Sequence, residues 1–451
     1  MSKIVLFILL SAVFLTIGCA RNKKTQSIDP QSIVSLSTSI KVDDELKDIK
    51  IDIPEQKTVK FWPINIQTDL DIENIHKTFE YKKELPDIKK SIVYSKFSIN
   101  KSNNVGSVAI IDKEIAFYLE PSGHLVAISL ESKKINWRKK VFKKINVAYR
   151  YPKIGENQEV IFSIIGDNQV VANRKKDGLE LWRKEISAIP IATPIANQNM
   201  LLILTNDKLY CLNSNTGEII WTHSASTSSL NLVGSSAPII FQDFVIVGYS
   251  SGEVYKLNIV NGEVRWSRNL NIKIANSSNF YLNDIDANIV LKDGAIYVAS
   301  NNGILNAFNL ENGENLWGKN LFNNAESELF YIGSASNFWL AGGFIYSINS
   351  ENQLIIIEKK SGKIKQIFNL PHFKNPKKPQ TKIIYNGLVM AGDKIIISNV
   401  DGDFIIYNPL DNKIEYSYIG GFKNNHAPIV VDNKIYTSFS NHLFTGLAIL
   451  W

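Results

Sequence analysis

The sequence predicts an all-β fold: an eight-bladed β-propeller of four-stranded antiparallel blades, closed by an N-terminal strand. Three observations predict it. An ending of the form Gly-x-x-x-Trp returns along the chain at intervals of about 40–50 residues, the period of blade-type repeats. Short strands punctuated by Gly, Asn and Asp fill each interval. The final interval is one strand short, and a matching strand stands ahead of the first.

The endings define the blades. "DGLELW" supplies Gly178 and Trp182, "TGEIIW" Gly217 and Trp221, "NGEVRW" Gly262 and Trp266, and "NGENLW" Gly313 and Trp317. Three further endings are altered. "SKKINW" keeps Trp137 but has Lys133 at the glycine position, "SGKIKQ" keeps Gly362 but has Gln366 at the tryptophan position, and "DNKIEY" has Asn412 and Tyr416. One unit, "FVIVGYSSGEVYKLNIVNGEVRW", reads as strand, turn, alternating strand, turn and outer strand. The glycine supplies a positive φ in the outer hairpin. The tryptophan, four residues on, fills the gap between neighbouring sheets. One such sheet cannot bury both faces alone; stacking in a ring does so and leaves only short edges.

After Tyr416 the chain offers three strands, "PIVV" from Pro428, "KIYTSFS" from Lys434 and "LFTGLAIL" from Leu443. An open ring would leave exposed edges. The missing strand is expected in "KKSIVYSKFSI", residues 89–99, with Tyr94 at the tryptophan position. The expected organisation is a signal segment at 1–18, a tether and N-terminal extension at 19–88, and the propeller at 89–451.

The chain has 451 residues, 45% hydrophobic and 21% charged, enough to bury a large core. Its formal charge is +7, but Lys and Arg are scattered over turns and polar strand faces. No basic patch interleaved with aromatics appears, so no nucleic-acid partner is expected. The start, "MSKIVLFILLSAVFLTIGCA", has one lysine, a short apolar run and a small residue before Cys19, the pattern of a secretory signal. The run is short of the roughly 20 residues of a membrane-spanning helix. Its ending, Leu-Thr-Ile-Gly-Cys, resembles the bacterial lipobox. That resemblance implies lipidation of Cys19, and Ala20 behind it implies delivery to the outer membrane. The plain alternative is a signal or anchor helix with an incidental cysteine. Cys211, in "KLYCLN", is the one other cysteine and reads as a small buried apolar residue. Polar residues up to about residue 55 suggest a flexible tether. "VKFWPINI", around Trp62, either docks on the propeller or is a short recognition segment.

The "LNSNTGEIIW" repeat resembles that of pyrroloquinoline-quinone dehydrogenases, in which calcium, an adjacent-cysteine disulfide and a catalytic Asp hold the cofactor on the propeller axis. This chain has no Cys-Cys pair, no Cys-x-x-Cys-His haem site and no large insert to roof an active site. The six histidines, His76, His124, His223, His372, His426 and His442, show no metal-ligand spacing. No nucleophile elbow or phosphate loop stands out. The expectation is no enzyme, no cofactor and no metal. "HFKNPKKPQTK", residues 372–382, reads as a surface insertion between the sixth and seventh blades. Asp284 and Asp286 stand just before an inner strand; residues two apart in an extended segment share a side. Turn chemistry, solvated charge and a weak calcium site are all open to them. Leu230 and Leu232 form an apolar pair in the polar loop "SSLNLVGSSAP", either folded inward or anchoring a partner.

At these residues the chain resembles the BamB family, lipoprotein subunits of the outer-membrane β-barrel assembly machine. "NDIDANIVLKDGAIYVASNNGILNAFNLENGENLW" is similar to the family's Asp-Val-Asp motif with its following strands. "LNLVGSSAP" is similar to the family loop whose two leucines and an arginine contact the central barrel protein. The resemblance implies a non-enzymatic scaffold, lipid-anchored in the outer membrane and facing the periplasm. Its partners would be the periplasmic domains of the central, BamA-like barrel protein and nascent outer-membrane proteins. Position by position, Leu230 and Leu232 match the leucines, Asp284 and Asp286 the aspartates, and Val233 stands at the arginine position. The alternatives are a periplasmic quinoprotein dehydrogenase and a generic ligand-binding propeller lipoprotein.

Overall fold

Runs such as Met200–Leu204 and Phe244–Gly248 carry large or β-branched apolar side chains on both faces, and both faces are covered. Such residues suit a pleated strand packed from either side. Outer strands such as Ile219–Ser224 are mostly exposed, with a buried tryptophan among polar residues. Apolar content therefore falls from the axis to the rim.

The computed structural model describes residues 40–63, 72–76, 107–142 (except 121 and 133), 152–225 (except 165–167), 236–270, 285, 287–320 (except 301–303), 338–374 (except 350), 381–418 and 426–447 (except 433, 440 and 441). Apart from a 3-10 turn at Asp44–Leu46, the regular elements among them are strands. They form the eight blades of a propeller: 110–140, 153–185, 195–224, 239–269, 290–320, 339–369, 385–418 and 429–447. Strands pair antiparallel in sequence order within each blade. This meander puts the first–second and third–fourth turns of a blade at one end, the hairpin face. The second–third turn and the blade-to-blade loop lie at the other end, the loop face.

Seven outer hairpins share one irregularity, a register shift next to the tryptophan position. In the third blade Cys211 pairs with Trp221 and Leu212 with Ile219, so Ile220 is an extra residue. The bulge leaves Ile219 and Ile220 both exposed, where simple alternation would hide one of them. Cys211 is fully buried, and burial pushes its thiol up to about 12.

The repeat is a lock between blades. Each tryptophan lies against the glycine of the next blade's outer hairpin. A Cβ on Gly178, Gly217, Gly262, Gly313 or Gly362 would fall 2.6–2.8 Å from the ring of Trp137, Trp182, Trp221, Trp266 or Trp317 respectively. These glycines also hold φ of 69–74°. Each indole N–H donates to the carbonyl three residues before that glycine, as Trp221 Nε1 does to Ile259 O at 2.9 Å. Trp221 and Trp266 are buried, whereas Trp137, Trp182 and Trp317 are only half-buried. At the sixth blade, Gln366 Nε2 donates to the Tyr407 hydroxyl, which donates to Asn412 Oδ1 (2.6 and 2.8 Å). Asn412 itself holds φ 53°, so the turn keeps its shape without glycine.

The eighth blade has three described strands, Ile429–Val431, Lys434–Phe439 and His442–Leu447. The expected closing strand at 89–99, with Tyr94, lies outside the described residues. The segment around Trp62 does dock. Phe61–Trp62 pairs antiparallel with Ile111 and Asp112, as a fifth strand on the free side of the first blade's inner strand. Residues 40–63 and 72–76 together form a strap on the hairpin face, held by the first–second turns of several blades and the outer hairpin of the sixth.

Candidate partner-binding surface

The loops expected to carry the site join the third blade to the fourth and the fourth to the fifth. Leu230, Leu232, Val233, Asp284 and Asp286 lie outside the described residues, as does Cys19. The feet of both loops are described, and they are tied together. Ser236, which closes the "LNLVGSSAP" loop, donates its backbone N–H to Ile285 O at 2.9 Å. Its Oγ accepts the backbone N–H of Ile289 at 3.0 Å. Ser236 is fully buried, so these bonds run in a dry setting where an unmade partner would be costly.

Ile285, the residue between the two aspartates, is fully buried. It fills the space above Gly248 at the end of the fourth blade's second strand, where a Cβ would meet it at 2.9 Å. A serine that can serve both strand entries and an isoleucine wedged over a glycine thus fix the roots of the two loops on one rim. Periodicity gave no sign of this, because neither Ser236 nor Ile285 belongs to the repeat.

The other foot of the first loop is aromatic. The Tyr249 hydroxyl lies 2.8 Å from His223 Nδ1, and the Tyr255 ring stands edge-on to His223 at 4.6 Å between centroids. Tyr249 is fully buried while Tyr255 is half-buried. Burial lowers the pKa of His223, with Glu253 acting weakly in the opposite sense, so the imidazole is neutral at pH 7. Ala225, the last described residue before the loop, donates to Asp207 O at 2.9 Å.

Among the described residues of this face, Glu120 and Arg138 are engaged with one another. Glu120 is fully buried yet accepts both Arg138 Nε and Nη2, at 3.0 and 2.7 Å, and the Ser122 hydroxyl at 2.6 Å. His124 beside it has a lowered pKa, from burial first and Arg138 second. A carboxylate so fully bonded is a structural ion pair and not a free base. Among the described residues, no group of three or more His, Cys, Asp or Glu is placed to hold a metal ion. Among the described residues, this face offers the feet of two loops tied together beside an aromatic pair.

An all-β propeller of four-stranded antiparallel blades is a class of protein that known structures share. The family model described as outer membrane protein assembly factor BamB matches residues 152–368. The chain is 28% identical over 272 residues to outer membrane protein assembly factor BamB of Yersinia pestis, covering 59% of this chain and 63% of that one. It is 30% identical over 359 residues to an uncharacterised protein of Rickettsia prowazekii, covering 75% and 83%. Its fold is similar to that of BamB from Moraxella catarrhalis, with a TM-score of 0.64 at 15% identity, covering 80% of this chain and 99% of the other. A europium-containing methanol dehydrogenase shares the fold as well. The chain belongs to the BamB family.

Proposed function

We propose that this chain is a non-enzymatic scaffold in outer-membrane β-barrel protein assembly. It sits on the periplasmic side of the outer membrane, anchored through a lipidated Cys19. It binds the periplasmic domains of the central barrel protein and assists insertion of nascent barrels. Leu230 and Leu232 provide the apolar anchor of the contact, and Asp284 and Asp286 its polar edge.

The observation that carries this reading is the bond pair from Ser236 to Ile285 and Ile289, which supports one composite surface for the two loops. Interface anchors are few and clustered, so two loops rooted together suit a hot spot better than two loops apart. The reading as a scaffold draws support from the axis. The inner edge of the first blade, where an axial ligand would have to approach, is paired with Phe61–Trp62. The inner strand of the seventh blade is likewise bridged by Ile75. Backbone of this same chain thus lines part of the axis at the hairpin face.

The test is binding of the purified, unlipidated full chain to the periplasmic domains of the central barrel protein from the same bacterium. Binding is expected, with loss in the doubly substituted Leu230→Ala, Leu232→Ala protein at an unchanged melting temperature. A wild-type chain that shows no binding, or one that takes up pyrroloquinoline quinone with calcium, overturns the reading.

A further inference from the structure

The seams between blades fall into two sets. From the first blade to the sixth, every seam has its Trp–Gly lock. From the sixth round to the first, no such lock stands among the described residues. Gln366 and Tyr416 stand at the tryptophan positions, Asn412 takes the glycine position of the seventh blade, and Lys133 takes that of the first.

The strap meets this second arc. Val59 O accepts the backbone N–H of Asp432 in the eighth blade at 3.0 Å, and three residues later Trp62 pairs with Ile111 of the first. Residues 59–62 therefore cross the seam between the last and first blades. Ile75 donates to Met390 O at 3.2 Å and accepts from the Gly392 N–H at 2.9 Å, in the seventh blade. The sixth blade is held through Glu73, whose carbonyl accepts Trp339 Nε1 at 2.8 Å and whose carboxylate accepts the Gly342 N–H at 2.6 Å. The other carboxylate oxygen lies 2.9 Å from Lys292 Nζ of the fifth blade. The two limbs of the strap bond to each other, Lys57 N–H to Asn74 O at 3.0 Å and His76 N–H to Lys57 O at 2.7 Å. Buried Asn74 adds side-chain bonds to Pro54 O and Gly392 O.

Packing follows the same division. Around the locked arc, the buried apolar residues form separate clusters, each shared by two blades in sequence. On the other arc, one cluster runs through the sixth, seventh, eighth and first blades, and Val59, Trp62, Ile72 and Ile75 of the strap belong to it.

We propose that residues 57–63 and 72–76 form an axial clasp that takes the place of Trp–Gly locks on this arc. It holds blades six, seven, eight and one together from the inside, where the other blades are held at the rim. One consequence is directional: the clasp makes its described contacts at the hairpin face, opposite the loop face that carries the proposed partner loops.

Hydrogen exchange on the full-length chain tests this. Glu73→Ala removes the carboxylate that fastens the strap to Gly342 and Lys292. The amides of Gly392 and Asp432 do not touch that carboxylate. They are expected to exchange about tenfold faster, as local opening predicts, while those of Gly217 and Gly262 are unchanged. Unchanged exchange at Gly392 and Asp432, or equal acceleration in both arcs, overturns the proposal. A second measurement restores a rim lock with Gln366→Trp and Asn412→Gly. The fall in melting temperature caused by Glu73→Ala should be smaller in that background. An equal fall would mean that strap and lock do unrelated jobs, and overturns the replacement.

Discussion

The indole of Trp221 occupies the place where Gly262 of the next blade would carry a side chain: a Cβ there would stand 2.7 Å from Cε3. Two residues 41 positions apart in the chain thus form a single device. The ring needs a hole to enter, and the hole needs glycine for its absent Cβ as much as for its φ of 73°. Trp221→Ala should cost about 3–5 kcal/mol through lost burial and the cavity left behind. Gly262→Ala should cost about 1–2 kcal/mol from backbone strain alone, and more from the clash. In the double variant the clash is gone, so the two costs should sum to more than the observed loss. Denaturant unfolding of the four proteins measures this; strict additivity would mean that the contact carries no coupling.

Gln366 occupies the same position in its own blade and should behave differently. Its amide joins a polar relay with Tyr407 and Asn412, and Tyr407 keeps its bond to Asn412 without it. Gln366→Ala should cost about 1 kcal/mol, the ordinary net value of one hydrogen bond. Gln366→Trp alone should destabilise, because Asn412 offers a side chain where every indole seam has glycine. A Gln366→Ala loss as large as that of Trp221→Ala would contradict the assignment.

The relay also shows where the sequence was legible and where it was not. Periodicity marked the blades because each must repeat the same hairpin and the same inter-blade contact, and Gly-x-x-x-Trp reports both. The bulge that exposes Ile219 and Ile220 together was hidden, since a one-residue register shift leaves no mark in a run of apolar residues. Trp62 could be read as docking or as recognition, because a two-residue strand on an inner edge has no pattern of its own. The roots of the candidate site, Ser236 and Ile285, were silent for a similar reason: each acts once, outside the repeat. The residues proposed to touch the partner and the expected closing strand at 89–99 lie outside the described residues.

His223 gives a pH dependence with a definite sign. Burial lowers its folded-state pKa below the unfolded value of about 6.5. The unfolded chain therefore takes up the proton first as the pH falls. The contribution of the neutral imidazole is fully present above about pH 6.5 and is lost as the pH drops through the folded-state value. His223→Gln should flatten the melting temperature between pH 7 and pH 5 relative to the wild type. His124, also lowered by burial, contributes in the same direction and remains in the variant, so the flattening should be partial. A steeper fall in the variant would contradict this account.

Cys19→Ser should abolish lipid attachment and release the chain from the outer membrane or leave it unprocessed. Each buried CH₂ of an acyl chain contributes about 0.8 kcal/mol to anchoring, so loss of the chains should move the protein to the soluble fraction. Labelled fatty acid still incorporated into the Cys19→Ser protein would refute the anchor.

The partner contact itself is tested at Leu232 and Asp286. Their loops are rooted by the Ser236 bonds, so a substitution beyond the root should leave the blades standing. Truncating an apolar anchor removes contacts made only in the complex, and costs about 2 kcal/mol or more. Leu232→Ala should therefore weaken binding mainly through faster dissociation. Charge at the edge of an interface acts on encounter and is screened by salt. Asp286→Ala should slow association and alter the salt dependence, with a smaller effect on dissociation. Val233, where the resemblance implies arginine, cannot make a forked charged contact, so on the proposed reading the leucines carry the larger share of the contact. Surface binding kinetics against the periplasmic domains, with a melting curve for each variant, separate the cases. Variants that melt early yet bind normally while folded would make these residues structural, and the partner surface would then lie elsewhere on the ring.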